Sequence, residues 1–210
     1  MLVRIAMMIS ALGFAAPAFA QTPDSPAQAA APAPKEDLVP VTLNTSLGRI
    51  VVAVDRLHAP ITTGNFLRYV DSHRLDGETF YRALRISGGD GGLIQGGVRS
   101  DTRKLFPPIA HEPTSRTGLH NVARSIVMAR LEPGSARADF FILASDTPSY
   151  DSGAPDGDPD GFAVFGHVVE GMDVVRKILA APTSPTLGEG VMKGQMLDPP
   201  VKITKAERVK

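Results

Sequence analysis

The sequence predicts a mainly β domain, either a barrel or a sandwich of sheets, with helices packed against it. Short runs rich in β-branched and aromatic residues recur along the chain, and turn residues separate them. Only two segments have apolar residues spaced three and four apart, as in an amphipathic helix. Many short strands with few helices favour a barrel or sandwich that the helices cover, and this pattern alone does not decide between the two.

The composition excludes several kinds of partner and linkage. The 210-residue chain has 22 basic and 22 acidic residues, so its formal net charge is zero. This balance gives no electrostatic reason to expect nucleic acid or an anionic membrane as a partner. Because the chain has no cysteine, it has neither disulfides nor a thiol for a lipid anchor.

Residues 1–20 have the pattern of a secretory signal peptide. Arg4 supplies a positive charge, Ile5–Pro17 is apolar, and Ala18-Phe19-Ala20 matches a cleavage site. The alternative is a buried or membrane-spanning helix, but the apolar run is shorter than the ~20 residues that a span needs. We therefore expect export, cleavage before Gln21, a periplasmic location and no membrane association after cleavage.

Residues 21–37 are rich in alanine, proline, serine and glutamine and have no apolar period. Such a segment cannot bury enough apolar surface to offset the entropy lost on ordering, so we expect a disordered linker. Its spaced prolines favour an extended, semi-stiff tether. Residues 38–210 then have the usual size of one domain.

The domain begins with a predicted hairpin. Val39, Val41 and Leu43 alternate with proline or polar residues, and Ile50–Val54 is a second β-rich run. A glycine-bearing turn at 46–48 lies between them, which is the pattern of two antiparallel strands. Further strand candidates are Thr79–Leu84, Leu93–Gln95, Ser125–Ala129, Phe140–Ala144, Phe162–Val168 and Val201–Ala206.

Two helices are predicted from the apolar spacing. Pro60 favours the start of the first helix, with Thr62 or Thr63 as its cap. The apolar face of this helix is formed by Phe66, Leu67 and Val70. Residues three or four apart form the face of the second helix, namely Met172, Val175, Ile178 and Leu179.

Four short pieces of the predicted strands point to the function. They are Phe80-Tyr81-Arg82, Ile94-Gln95-Gly96-Gly97, Phe140–Leu143 and Val164-Phe165-Gly166, in this order. Together they supply one arginine, one glutamine and several aromatic rings for what we expect to be a single apolar groove. No single piece is specific, but the ordered set is hard to obtain by chance. It resembles the cyclophilin family of peptidyl-prolyl isomerases across Leu38–Val209.

The resemblance implies both a fold and a reaction. The fold is a closed eight-stranded antiparallel barrel capped by two α-helices, one over each open end. The reaction is cis–trans isomerisation of X-Pro bonds, here in exported proteins as they fold. The planar amide resists rotation by ~18–20 kcal/mol. A donor aimed at the prolyl nitrogen draws its lone pair out of conjugation and so stabilises the twisted transition state.

Arg82 and Gln95 are the expected catalytic residues. Arg82 matches the arginine of the family's F-H/Y-R motif, and an arginine keeps its charge and presents a rigid fork of donors. Gln95 matches the glutamine of the QGG motif, which hydrogen-bonds substrate beside the arginine. A solvated strand arginine and a structural amide in a turn are the alternatives for these two residues.

The other expected site residues line the substrate groove. Phe141 matches the pocket phenylalanine of the family's QFFI motif, and strand alternation turns it away from Phe140. Asp139 takes the place of that motif's glutamine and is expected to form a charge-assisted bond with Arg82. Such a bond would either orient Arg82 or neutralise the field that makes it useful. Two further residues replace the family's pocket leucine and histidine, and two come from the predicted strands: Tyr150, Phe162, Phe80 and Leu93.

No metal or cofactor is expected, because weakening amide resonance with a fixed donor requires neither. Asp156–Gly161 begins like a calcium loop, but Pro159 stiffens its middle and His167 stands where such a loop has a bidentate glutamate. An acidic surface turn is therefore expected, with a calcium loop as the alternative.

Two function classes stay open. Arg82 and Gln95 favour an active isomerase. Gly92 and Asp139 depart from the family pattern and leave open a binding or chaperone module of the same fold, with little or no catalysis. In either class the expected partners are proline-containing segments of unfolded or flexible proteins, and the protein is expected to be a monomer.

Overall fold

The computed structural model describes residues 37–86, 91–99 and 101–209. The signal peptide expected at 1–20 lies outside this part, as does the linker expected at 21–37 except for Asp37. Among the described residues, no helix combines the length and the apolar composition that a membrane span requires.

Nine strands run through the described residues, and all of their pairings are antiparallel. Each predicted strand is present, and the short β8 was not predicted because two residues cannot show a period. The strands are β1 (Leu38–Thr45), β2 (Gly48–Asp55), β3 (Thr79–Arg85), β4 (Gly92–Gly97), β5 (Ser125–Met128), β6 (Phe140–Leu143), β7 (Ala163–Glu170), β8 (Thr183–Ser184) and β9 (Met196–Arg208).

Eight of these strands close into a barrel. They pair in the order β1-β2-β7-β5-β6-β4-β3-β9, and β9 pairs again with β1. Closure pairs both edges of the sheet, which is how a barrel protects its strand edges. The predicted closed barrel is confirmed and the sandwich is excluded. β8 pairs with the start of β9, outside the closed ring.

The barrel interior is filled by one alternating set of strand side chains. On β1 and β2 the fully buried residues include Val41, Leu43, Ile50, Val52 and Val54. Successive residues of a strand face opposite sides, so one face of each strand belongs to the core. The other face of β3, β4 and β6 is therefore available to a site on the outside of the barrel.

Three α-helices lie in the described residues: α1 (Pro60–Asp71), α2 (Thr114–Thr117) and α3 (Met172–Ala180). Helices α1 and α3 are the two predicted helices. Phe66 of α1 packs against Phe140 and Phe165, with ring centroids 5.4 and 5.2 Å apart. The one-turn helix α2 was not predicted, because it is too short to show a helical period.

The N-terminus of α1 is capped differently from the prediction. The capping position is Ala59, because Pro60 at the first helical position starts the helix before either threonine. Thr62 donates its backbone N–H and its hydroxyl to Glu112 Oε2, both at 2.7 Å. The Thr63 hydroxyl donates to the Asp55 carbonyl at 2.7 Å. A buried carboxylate from a distant segment thus takes the role expected of a local hydroxyl.

Candidate active site

A cavity of about 420 Å³ opens on the outer face of the barrel over β3, β4 and β6. Seven of the eight expected site residues line it, and only Phe80 does not. These seven are Arg82, Leu93, Gln95, Asp139, Phe141, Tyr150 and Phe162.

Strand register brings the central three residues into one row. Arg82 on β3 is paired with Gln95 on β4, and Gln95 is paired with Phe141 on β6. Residues directly opposite each other on neighbouring strands have side chains in contact distance. The donor, the amide and the aromatic ring therefore stand side by side on one face of the sheet.

A β-bulge explains why Arg82 faces the cavity and Phe80 does not. Phe80 is paired with Gly96 and Arg82 with Gln95, so Tyr81 is an extra residue on β3. A bulge of this kind re-aims the side chains that follow it. Tyr81 and Arg82 both line the cavity, whereas Phe80 is fully buried in the core. The expectation that Phe80 contacts substrate is corrected accordingly.

Phe80 has a structural role beneath the site. Its ring packs edge-on against Phe140, with centroids 5.7 Å apart. A Cβ at position 96 would lie 2.9 Å from the Phe80 ring, so Gly96 makes room for it. The first glycine of the Gln95-Gly96-Gly97 motif thus makes room for core packing beside the row of Arg82, Gln95 and Phe141.

Two glutamine side chains hold the Arg82 guanidinium from two sides. Nη1 donates to Gln95 Oε1 and Nε donates to Gln195 Oε1, each at 2.9 Å. Gln195 is itself anchored, because its Nε2 donates to the Val191 carbonyl at 2.6 Å. In the described part of the chain, Arg82 Nη2 has no hydrogen-bond acceptor. The guanidinium is fixed in direction and keeps N–H groups for a ligand.

Burial lowers the pKa of Arg82, and Tyr150 and Tyr81 raise it by smaller amounts. An arginine nevertheless stays protonated at neutral pH. The cation is only half-buried, so it faces a partly dehydrated cavity in which its electrostatic effect on a ligand is stronger than in bulk water.

The expected pair between Arg82 and Asp139 is wrong. Among the described residues Arg82 bonds to the two glutamines, and the charged group that acts most strongly on Asp139 is Arg99. Packing gives the reason. Gly97 has a φ of +144°, and a Cβ there would lie 2.2 Å from Asp139 Oδ1. The carboxylate occupies the space that this glycine leaves, away from Arg82.

Asp139 is held in a poorly solvated position. Its Oδ1 is buried and has no hydrogen-bond partner among the described residues. Burial raises the pKa of Asp139 to about 6, although Arg99 and the Tyr81 hydroxyl both lower it. Burial also raises the pKa of Tyr81, which therefore stays a neutral phenol at physiological pH. Asp139 is the group at this site that changes charge near neutrality.

Three aromatic rings form the apolar end of the cavity. The ring centroid of Phe141 lies 5.8 Å from that of Tyr150 and 5.5 Å from that of Phe162, and both pairs are edge to face. Tyr150 and Phe162 are 4.9 Å apart, and the Phe162 N–H donates to the Tyr150 carbonyl at 2.8 Å. Leu93 and Val127 belong to the same apolar cluster. The result is a preformed apolar pocket of the kind that accepts a small ring.

Arg130 ties the acidic turn to this pocket. Its side chain is 2% exposed, and it forms an ion pair of 2.9 Å with Asp158. It also donates from Nε to the Gly161 carbonyl at 3.0 Å, and its guanidinium lies 5.1 Å from the Phe162 ring centroid. Asp158 is thus committed to a cation of the protein. No group of three or more metal-ligating side chains occurs in the described residues.

Sequence reasoning missed Tyr81, Arg99 and Gln195. Tyr81 could not be assigned to the cavity from strand alternation, because the bulge changes the direction of its side chain. Arg99 follows β4 and belongs to no recognisable motif. Gln195 reaches Arg82 from 113 positions away, and its segment has no periodic pattern. A second cavity of about 660 Å³ adjoins the first and shares Tyr81, Arg99 and Met192 with it.

Comparison with known proteins points to one family. Residues 40–208 match the family model described as cyclophilin type peptidyl-prolyl cis-trans isomerase/CLD. The chain is 39% identical over 154 residues to a peptidyl-prolyl cis-trans isomerase of Streptomyces antibioticus, covering 70% of this chain and 87% of the relative. It is 34% identical over 171 residues to one from Acinetobacter baylyi, covering 80% and 84%.

Solved structures show the same fold. A Cryptosporidium parvum cyclophilin type isomerase superimposes with a TM-score of 0.64 at 17% identity, covering 82% of this chain and 98% of that one. A second structure of that protein, determined in the presence of the dipeptide Ala-Pro, has a TM-score of 0.64 at 18% identity and covers 81% and 99%.

Proposed function

Because the chain belongs to the cyclophilin type peptidyl-prolyl cis-trans isomerase family, we propose that it isomerises X-Pro bonds with Arg82 as the donor to the prolyl nitrogen. The proline ring occupies the aromatic pocket of Phe141, Tyr150 and Phe162. The free N–H groups of Arg82 then face the imide from the side of β3. Gln95 lies beside Arg82 and contributes to the binding of the substrate backbone.

The proposed mechanism is selective stabilisation of the twisted amide. In the planar ground state the prolyl nitrogen lone pair is delocalised and accepts a hydrogen bond poorly. Rotation returns the lone pair to nitrogen, where a guanidinium N–H can bind it. A hydrogen bond to a charged group contributes roughly 1.5–3 kcal/mol. At ~1.4 kcal/mol per tenfold in rate, this one bond supplies about 10- to 100-fold.

One observation carries the proposal. Arg82 is held at 2.9 Å by each of two glutamine oxygens while Nη2 is left without an acceptor in the described residues. A guanidinium fixed in this way loses little side-chain entropy when it meets the substrate, so more of its bond energy is available in the transition state. An arginine that only served solubility would not be clamped beside an apolar pocket.

The direct test is turnover of a short peptide with a single X-Pro bond. Two-dimensional exchange NMR measures cis–trans interconversion without a coupling protease. Exchange that increases in proportion to protein concentration, at micromolar protein and millimolar peptide, is the expected result. An exchange rate equal to that of the peptide alone, with a folded protein, overturns the isomerase proposal.

A holding activity is the second candidate. Leu131 lines the cavity and is 83% exposed, and Val191, next to the cavity residue Met192, is also 83% exposed. Exposed apolar side chains at the mouth of a groove suit the capture of unfolded segments. The holding proposal expects suppressed aggregation of an unfolded protein that is free of proline, a readout that isomerisation does not affect.

We further propose that the clients are exported proteins and that the protein works in the periplasm. The support is the pattern of residues 1–20, with an apolar run followed by Ala18-Phe19-Ala20. Cell fractionation followed by N-terminal sequencing of the mature protein is the test. A mature chain that begins at Gln21 in the periplasmic fraction is the expected result, and an uncleaved cytoplasmic chain contradicts it.

A further inference from the structure

The cavity carries more positive than negative charge. Four arginines and one carboxylate line it: Arg82, Arg99, Arg130, Arg137 and Asp139. Arg82 is bonded to two glutamines, and Arg130 is ion-paired with Asp158 and nearly completely buried. Arg82 is also the proposed donor to the prolyl nitrogen, and Arg130 is neutralised by Asp158. Arg99 and Arg137 have neither role.

Arg99 and Arg137 are exposed, and in the part of the chain that the structure describes neither has a carboxylate within ion-pair distance. The Arg99 guanidinium lies over the Tyr81 ring, 4.5 Å from its centroid, which keeps the cation at the cavity wall. Arg137 lies two residues before Asp139 and lines the first cavity but not the adjoining second one.

The acidic groups near these arginines do not neutralise both of them. Asp139 is the one carboxylate among the described residues that line the first cavity, and it forms no ion pair with Arg99 or Arg137 there. Glu78, whose charge raises the pKa of Asp139, bonds to Lys104 at 2.7 Å. At least one positive charge among Arg99 and Arg137 is therefore not neutralised by a carboxylate that lines the first cavity, and Arg82 lines this cavity as well.

We propose that Arg99 and Arg137 form a subsite for a side-chain carboxylate of the substrate, so that the preferred peptide has a glutamate or aspartate within two residues of its X-Pro bond. This inference rests on the isomerase proposed above. Guanidinium groups bind carboxylates with two parallel hydrogen bonds, and two of them that line one cavity repel a basic side chain. The effect is one of substrate choice and not of the chemical step.

The test compares sets of three peptides, one set for each tested position, and the members of a set differ in one residue. Each has blocked termini and a single X-Pro bond, and carries glutamate, glutamine or lysine at either of the two positions before X or directly after proline. Exchange NMR gives kcat/KM, and titration gives the affinity. At one of these positions we expect kcat/KM of the glutamate peptide to exceed that of the glutamine peptide by about fivefold. The lysine peptide should have a lower kcat/KM than the glutamine peptide. The preference should shrink at 1 M salt, where the Debye length is ~3 Å.

Variants identify the subsite. Arg137→Gln should lower the glutamate-to-glutamine ratio of kcat/KM toward one, and Arg137→Glu should make lysine the preferred residue. The matched control is Arg176→Gln, which removes the same charge from an exposed position of α3 and should leave both rates unchanged. A reversed preference in Arg137→Glu is not expected from a residue with a merely structural role.

The outcomes separate this inference from the isomerase proposal. Turnover of all three peptides with ratios near one at every position overturns the acidic subsite and leaves the isomerase standing. Absence of turnover overturns the isomerase, and the affinities of the same peptides then decide the subsite by themselves. An equal affinity for the glutamate, glutamine and lysine peptides rejects it.

Discussion

The side-chain oxygen of Gln195 accepts a hydrogen bond from Arg82 Nε at 2.9 Å and so joins the segment before β9 to the catalytic candidate on β3. In the proposed mechanism Gln195 is a positioning residue, because it lines neither cavity and would act through the guanidinium. Its own amide nitrogen bonds to the Val191 carbonyl, which sets the direction of the oxygen.

Gln195→Ala should therefore lower kcat about fivefold to tenfold and leave KM nearly unchanged. This is the effect of losing ~1 kcal/mol of transition-state stabilisation when Arg82 is no longer held in direction. Lys193→Ala, an exposed substitution in the same segment, is the control and should leave both constants as they are. A change confined to KM would mean that Gln195 contacts substrate and does not merely orient Arg82.

Arg82→Ala should reduce kcat/KM by about 10- to 100-fold, because the charged donor to the prolyl nitrogen is lost. Arg82→Lys should recover little of it, since an ammonium has neither the planar fork nor the reach to both glutamines. Arg176→Ala on α3 is the matched surface control. Turnover close to that of the parent protein in a folded Arg82→Ala variant would exclude the proposed mechanism.

Strand positions could be predicted because most of them follow local rules. The β1–β2 hairpin alternates with a period of two, and α1 and α3 show helical spacing, so these elements were found close to their observed bounds. Closure of the barrel depends on the pairing of β9 with β1, between the two ends of the domain. No local pattern contains that pairing, so the closed barrel came from the family resemblance.

The site was predictable where regular strands carry it. Gln95 and Phe141 face the cavity as alternation requires, and their register places them opposite each other. Prediction failed for Phe80 because the bulge at Tyr81 breaks the alternation, and a bulge leaves no mark in the sequence. It failed for the Asp139–Arg82 pair because the space beside Gly97 decides where the carboxylate goes.

Phe80 and Phe141 should respond differently to the same substitution. Phe80→Leu should lower the free energy of unfolding by about 1–3 kcal/mol and leave kcat/KM of the folded protein unchanged, because its ring is in the core. Phe141→Leu should raise KM, because its ring lines the pocket. Urea unfolding and steady-state kinetics on both variants measure this contrast. A higher KM in Phe80→Leu would mean that Phe80 contacts substrate after all.

Activity should survive metal chelation. The proposed donor is a fixed cation of the protein, and Asp158 of the acidic turn is paired with Arg130 at 2.9 Å. Exchange NMR before and after dialysis against EDTA, with calcium or magnesium added back, measures the effect. Loss of turnover in EDTA that calcium restores would make the Asp156–Asp160 turn a functional metal site and would replace the surface-turn interpretation.

Asp139 should make the protein less stable as the pH rises. Its folded-state pKa is about 6, above the ordinary value of 3.8, so the folded state favours the protonated carboxyl. The stabilising contribution is complete below about pH 4 and is lost as the pH passes through 6. At 1.36 kcal/mol per pKa unit, the loss amounts to about 3 kcal/mol.

Asp139→Asn removes this titration and nearly preserves the shape of the side chain. Relative to the parent protein, the variant should gain about 3 kcal/mol in free energy of unfolding between pH 4 and pH 7.5. Urea unfolding of both proteins at the two pH values measures it, and the difference between them cancels the other titrating groups. Because Asp139 does not hold Arg82, kcat on a neutral X-Pro peptide should change by less than about twofold. A pH-independent difference in stability would show that Asp139 is solvated and ionised like a surface carboxylate.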